Sequence, residues 1–381
     1  MNYRPLLQYI ISSLKSIVGT KESIAGACDK IQQTAIGINH PFQTFEDQCV
    51  YCYTGTHWVR IEDFELKVFL KYAYKRMSGD KIKASQRETI EGLFKQFPYT
   101  VMGVTMEQDK EKINFLNGTL DLKNGNLIQH SCQNYFRYVL PYNYAPNATC
   151  QMFMKYLDRV LPDKDTQKVL AEYIGWIFTS LKLEKCLFLY GSGRNGKSVF
   201  VDIIEALLGK ENISHESLSD MCGENGDRSR ANLGGKLLNT CSDVAPNAFS
   251  GDIFKRIASG EPISSRLLYK DVATLTDYAK MIFCLNELPK TNDKSNGYFR
   301  RFLIAPFGVQ IPKQEVDPRL AEKIISTELP GIMNWVLEGR RRLITQSGFT
   351  ESSLCQKQLE EYRYGNGIRK KVNLILPDGF K

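Results

Sequence analysis

The sequence predicts an α/β fold: a parallel sheet with helices on both faces, preceded by a mixed α+β region and followed by a helical one. Three observations carry this. Cys186–Tyr190 and residues 281–285 are short, uninterrupted apolar runs, as strands buried on both faces must be, and Leu237-Leu238-Asn239-Thr240-Cys241 reads as a further strand of the same sheet. The first of them passes without a gap into a glycine-rich turn and then into Phe200, Ile203, Ile204, Leu207 and Leu208, spaced as one face of a helix, with Gly209 as its stop. The chain has 381 residues, and roughly 100–200 residues per domain imply two or three domains.

Pattern changes divide the chain into 1–145, 146–183, 184–310 and 311–381. The first part opens with an amphipathic helix carrying Leu6, Leu7, Ile10, Ile11, Leu14, Ile17 and Val18, broken by polar residues in a way that a secretion signal is not. Residues 65–74 have helical period. Residues 113–122 and 126–128 read as strands about the Asn124-Gly125 turn, and Pro141 and Pro146 bracket a linker. The second part is a helical collar with the stripe Leu170, Tyr173, Ile174, Ile177 and Leu181, capped by Asp163 or Asp165. After the sheet, helical spacing returns at Leu320, Ile324 and Ile325 before Pro330 and at Ile332, Met333, Val336 and Leu337 after it. A last helix over 353–362 leads to the basic Arg369, Lys370 and Lys371. Arg340, Arg341 and Arg342 are expected near a helix C-terminus, where the dipole favours cations.

Composition excludes several classes. A hydrophobic share of 43% with 24% charged residues is that of a folded protein, and no run of about 18 apolar residues predicts a membrane span. A net charge of +8 permits a polyanionic partner without requiring one. The ten cysteines lack disulfide-like spacing, so reduced thiols and a cytoplasmic location are expected. Cys49 and Cys52 with His57 suggest half a zinc site. The surrounding residues read as a hairpin, however, which turns positions three apart to opposite faces.

The chemistry concentrates at Gly191, Ser192, Gly193, Arg194, Asn195, Gly196, Lys197, Ser198 and Val199. Small residues let successive backbone N–H groups turn inward around phosphate oxygens, and the following helix adds positive potential. Lys197 is then placed for the β- and γ-phosphates of ATP, and Ser198 for Mg2+. Asp243, at the end of the 237–241 strand, is the only acid placed there to hold Mg2+ through water or orient the attacking water. Asn286 follows the 281–285 strand, where an amide can bond both the γ-phosphate and the nucleophile. Arg300 and Arg301 precede a fourth strand; either could complete a neighbour's site as an arginine finger.

Taken in order, these motifs, together with residues 254–266, Asn286-Glu287-Leu288-Pro289 and the upstream Asn117-Gly118-Thr119-Leu120-Asp121-Leu122, resemble the superfamily 3 helicases. The nearest branch looks like the phage and plasmid primase-helicases, which are related to poxvirus-type replicative helicases. The resemblance covers about residues 45–365. It implies an AAA+-like P-loop NTPase core, a hexameric homo-oligomer with ATP between subunits, and single-stranded or forked DNA threaded through the ring. It also implies that Lys255, Arg256, Arg266 and Lys270 meet phosphates and that Tyr269 stacks on a base. Relatives often carry glutamate where this chain has Asp243. The paired-aspartate strand of a primase is not evident in the first 145 residues, so any primer synthesis is expected on a preceding part or a separate primase. Two other function classes compete: an ATP-switched origin-binding or loading protein, and a small-molecule P-loop kinase. The kinase leaves the basic segment and the upstream residues unexplained.

Overall fold

The computed structural model describes residues 3–16, 23–79, 82–103, 108–242, 251–267, 272–291 and 293–365. Two units emerge, Met1–Tyr144 and Ala145–Lys381, each with its own core.

In the first unit, helices α1 (Arg4–Ser13), α2 (Ile24–Gly37), α3 (Asp63–Ser78) and α4 (Arg87–Thr100) pack on strands β1 (Phe42–Thr44), β2 (Val50–Tyr53) and β3 (Trp58–Arg60). Their apolar faces meet in one cluster that includes Leu7, Ile10, Ile31, Leu70, Leu93 and Phe97. Phe42 joins strand to helices, its ring 5.3 Å from Phe69 and 5.2 Å from Phe97. The opening helix stops at Ser13, earlier than its apolar spacing suggests; Leu14 is still buried, while Ile17 and Val18 lie outside the described residues.

The β2–β3 hairpin forms as read, with Cys52 opposite Val59. Cys49 and Cys52 are buried, and the His57 ring nitrogen bonds the Thr54 and Thr56 hydroxyls at 3.2 and 2.9 Å. Among the described residues no three His, Cys, Asp or Glu side chains are grouped to hold a metal.

Residues 113–122 are not one strand. They fold as a second hairpin, β4 (Lys112–Phe115) and β5 (Gly118–Asp121), with β6 (Leu127–Ile128) alongside. The turn at Asn117-Gly118 was hidden by apolar neighbours. Gly118 has φ +144°, and a Cβ there would lie 2.7 Å from the Ile128 carbonyl oxygen, so only glycine lets the third strand close.

The second unit begins with α5 (Gln151–Val160) and α6 (Lys164–Trp176), the latter capped by Asp163, whose carboxylate accepts from the Thr166 amide at 2.8 Å. Next in chain order come β7 (Cys186–Tyr190), α7 (Lys197–Leu208), β8 (Ile213–Ser214), α8 (Leu218–Cys222) and α9 (Gly226–Ala231). They are followed by β9 (Leu238–Ser242), α10 (Gly251–Ser259), β10 (Ile263–Ser265), β11 (Ala273–Leu275), β12 (Lys280–Leu285), α11 (Asn296–Phe299) and β13 (Phe302–Pro306). Five strands form one wholly parallel sheet in the order β13-β7-β12-β9-β8. On one side Phe188 stacks on Phe302 at 4.6 Å beside Phe254 and Phe283. β10 and β11 pair antiparallel apart from the sheet.

Helix α12 (Leu320–Gln346) continues through Pro330, and α13 (Ser353–Gly365) follows it. The proline lacks an N–H, yet burial of Leu329, Ile332, Met333 and Val336 holds the helix together around it. α12 crosses α6 backbone to backbone: a Cβ on Gly175 would lie 2.6 Å from the Arg340 nitrogen. The three arginines do not serve a helix end. Arg340 Nε donates to the buried Phe178 carbonyl at 2.8 Å, and Arg342 Nε donates to Glu172 at 3.1 Å.

Glu172 is fully buried and also accepts from the Thr350 amide at 2.7 Å and the Thr350 hydroxyl at 2.6 Å. Glu172→Ala leaves these donors and a partly buried guanidinium without their acceptor. Urea denaturation should show a loss of about 2–3 kcal/mol, less than for a fully buried pair because Arg342 keeps some water.

Candidate phosphate-binding site

β7 ends at Tyr190 and α7 starts at Lys197, so Gly191–Gly196 must reverse the chain within six residues at the C-terminal edge of the sheet. Left-handed backbone at Gly193 (φ +96°), Arg194 (φ +46°) and Gly196 (φ +86°) accomplishes this. A side chain on Gly191 would collide with the Asn195 amide and the Phe307 carbonyl, and a Cβ at Gly196 would lie 2.8 Å from Val160 Cγ1. Nothing lies within 4 Å of a Cβ position at Gly193, so the loop is open on that side. Ser198 is exposed and Val199 half-buried in the first turn of α7, where amides have no intrahelical acceptor. This is a cradle suited to an anion.

Lys197 is 7% exposed. Its ammonium donates to the Gly191 carbonyl and reaches Asn195 Oδ1 at 3.3 Å and Asn286 Oδ1 at 3.4 Å. Lys197 and Asn286 are therefore brought together, because β12 lies beside β7 with Leu285 in register with Tyr190. The Gly191 amide donates to the Leu285 carbonyl at 3.1 Å, fastening the loop to that strand. On β12, Cys284 lies nearby as a neutral thiol: burial pushes it up to about 11, against the pull of the Lys197 ammonium.

Asp243 lies outside the described residues, but its strand is placed: β9 ends at Ser242, which is exposed. β9 does not neighbour the loop strand β7; β12 stands between them. Apolar runs identify parallel strands but carry no record of their lateral order.

The two arginines separate clearly. Arg301 is 8% exposed and spends its guanidinium on the Lys255 carbonyl (3.1 Å), Ser259 Oγ (2.8 Å) and the Gly297 carbonyl, locking α10 to the start of β13. Arg300 is turned outward, half-exposed and paired with Glu184. Both stand at the sheet edge opposite the loop, one five-residue strand away, about 16 Å. Arg301 is thus a structural residue, and Arg300 alone of the pair faces solvent.

Of the expected nucleic-acid contacts, Lys255 is bound to Asp293 at 2.6 Å. Arg256 is exposed and donates to the Pro262 carbonyl; Arg266, also exposed, follows β10 with its amide bonded to the Asp227 carbonyl at 2.9 Å. Tyr269 and Lys270 lie outside the described residues.

Several residues escaped the sequence reading. Tyr156 on α5 donates its hydroxyl to the Gly196 carbonyl at 2.6 Å, and that same oxygen accepts from the Phe200 amide at 3.1 Å. A trans peptide points its N–H opposite its C=O, so gripping this oxygen aims the Lys197 amide back toward the loop. From beyond β13, Phe307 accepts from Asn195 Nδ2 at 3.1 Å, and the Ile311 amide donates to Arg194 at 2.9 Å. Glu205 of α7 accepts from Thr240 of β9 at 2.5 Å, with the His215 ring 3.1 Å from that hydroxyl, fixing the loop helix against the acid strand. Burial, with Glu205 adding to it, holds the Asp202 carboxyl above its ordinary range. No local motif marks these groups, since each is remote in sequence from the loop or strand it touches.

Fold and site together define an α/β protein with a P-loop-like core. Two sequence families match: D5 N terminal like over residues 30–162, and a family of unknown function (DUF5906) over residues 189–301, which spans the loop through Arg301. A helicase-named protein of Acanthamoeba polyphaga mimivirus is 23% identical over 213 residues, 53% of this chain but 22% of the viral protein. The chain thus spans about a fifth of that relative's length. An uncharacterized mitochondrial protein of Marchantia polymorpha is 28% identical over 121 residues, 28% of this chain and 67% of that protein. Among solved structures, an apo form of the NrS-1 C terminal region aligns with a TM-score of 0.54 at 11% identity, covering 87% of this chain and 74% of that one. A second apo structure of that region gives 0.53 at 12% identity, covering 89% and 77%. These structural likenesses are of fold.

Three substitutions test the geometry. Tyr156→Phe removes one hydrogen bond to the loop and should weaken MgATP binding about 2- to 10-fold by titration, with little change in melting temperature. Arg301→Ala should lower the melting temperature measurably, whereas Arg300→Ala should leave it within a degree or two of wild type.

Proposed function

We propose that this chain is the ATP-driven motor of a replicative DNA helicase, of the superfamily 3 primase-helicase type. The observation that carries the reading is the convergence of Lys197 and Asn286 on a glycine loop that runs directly into the first turn of α7. The helicase-named viral relative and the D5 N terminal like match support it. The described part of the chain contains no helix long and apolar enough to cross a membrane.

In this reading the amides after Gly193 and the Lys197 ammonium take the β- and γ-phosphates of ATP. Lys197 would exchange its contact with the Gly191 carbonyl for phosphate oxygens. Ser198 contributes its hydroxyl to Mg2+, which neutralises developing charge when bound. Asn286, already within reach of Lys197, orients the γ-phosphate end, and Asp243 at the close of β9 orients the attacking water. Arg300, too far from its own loop, serves the site of an adjacent copy in a ring, a hexamer by family resemblance. The bond to Glu184 must then open as that copy's nucleotide arrives. Single-stranded or forked DNA meets Arg256 and Arg266, with Tyr269 and Lys270 beyond β10; Lys255 contributes only if Asp293 releases it.

Hydrolysis of ATP with and without single-stranded DNA is the direct measurement. Wild type should be stimulated and Lys197→Ala should fall to background; stimulated turnover that survives in Lys197→Ala removes the mechanism. Arg300→Ala should lower turnover by a factor on the order of 10³–10⁵ while still binding ATP. Mixing it with Lys197→Ala should restore activity in part, because each then supplies what the other lacks across an interface.

A further inference from the structure

The outer face of α3 leaves two aromatic side chains exposed beside a group of cations. Phe64, Val68 and Tyr72 recur at every fourth residue and so share one face of the helix. Phe64 is 74% exposed and Tyr72 47% exposed, two aromatic rings about 12 Å apart along the axis. The same face turns basic toward its C-terminal end. Lys71 and Lys75 place their ammonium groups 5.6 and 5.8 Å from the centre of the Tyr72 ring, and Arg76 is exposed one turn beyond.

These three cations have no carboxylate within ion-pair distance among the described residues. Other cations of the unit do find acids: Arg4 pairs with Glu65 at 2.6 Å, Lys67 with Glu91 at 2.7 Å and Lys112 with Asp109 at 3.4 Å. The pairing of Glu65 with Arg4 also withdraws an acid of α3 from this face. Solvation alone accounts for exposed lysines, but not for leaving a phenyl and a phenol ring in water beside them.

We propose that this face of α3 binds single-stranded DNA, at a site separate from the β10–β11 segment of the motor. Tyr72 and Phe64 offer stacking platforms to bases, while Lys71, Lys75 and Arg76 meet the phosphates on either side. Such a surface holds the strand without reading sequence, since every base has a π-face. The inference rests on the DNA-motor reading and adds a second point of contact, on the other unit of the chain.

The test is fluorescence anisotropy of a labelled oligothymidylate with the full chain over a range of salt, with inorganic polyphosphate as a base-free polyanion. Tyr72→Ala should weaken oligothymidylate binding by about 5-fold or more. Its affinity for polyphosphate should not change. The triple variant Lys71→Gln, Lys75→Gln, Arg76→Gln should weaken both ligands and flatten the slope of log affinity against log salt by about 2, close to 0.7 per cation removed. All four positions are at the surface, so basal ATP turnover should match wild type. Wild-type affinity and salt slope in both variants would overturn the proposal while leaving the motor reading intact. So would variants that lose binding only to anionic phospholipid vesicles or to an acidic peptide. A wild-type chain that binds no oligothymidylate overturns both readings.

Discussion

How closely the loop backbone at the end of β7 can approach its neighbours governs everything at this site. Gly191 lies against Phe307 and Asn195, and Gly196 against Val160 and Tyr156, with no room for a Cβ at either place. That closeness lets the loop be held from three directions: by β12 through the Gly191 amide, by α5 through Tyr156, and by the segment after β13 through Asn195 and Arg194. A glycine loop by itself is a flexible turn. Fastened in this way it becomes a preorganised set of donors, whose ordering cost is met on folding and not on binding.

The same ties join the site to the rest of the unit. Glu328 of α12 accepts from the Met152 and Phe153 amides at 2.9 and 2.8 Å, capping α5 at the end away from the loop. Asn334 donates to the carbonyls of Ala145, Pro146 and Ala148 at 2.9, 3.1 and 3.0 Å, pinning the segment that leads into α5. α5 is therefore a strut between α12 and the loop.

The arginines show how burial decides between chemically equal neighbours. Arg300 and Arg301 are neighbours in the turn between α11 and β13, yet their side chains meet different surroundings. Arg301 enters a pocket of carbonyl and hydroxyl acceptors under α10, still 3.8 Å from the Glu184 carboxylate that Arg300 pairs with at the surface. The Glu184 backbone is itself left-handed, at φ +52°. A non-glycine residue seldom adopts that conformation unless its surroundings impose it. A guanidinium saturated by the interior cannot also serve a second chain, and the exposed one keeps that capacity.

The sequence by itself determined the strand–loop–helix junction, the parallel character of the sheet and the β2–β3 hairpin, and it narrowed the α6 cap to Asp163 or Asp165. Each rests on residues adjacent in the chain, so periodicity and turn chemistry suffice to reveal it. It misread what depends on partners remote in sequence. Residues 113–122 read as one strand because apolar neighbours masked the Asn117-Gly118 turn, and Arg340–Arg342 read as dipole partners because Phe178 and Glu172 are more than 160 residues away. Only the tertiary structure decided that β12 separates β9 from β7, that Tyr156 grips the loop, and that Arg301 is buried while Arg300 is not. Lateral strand order and burial are set by how whole faces pack, and no local run of residues encodes that.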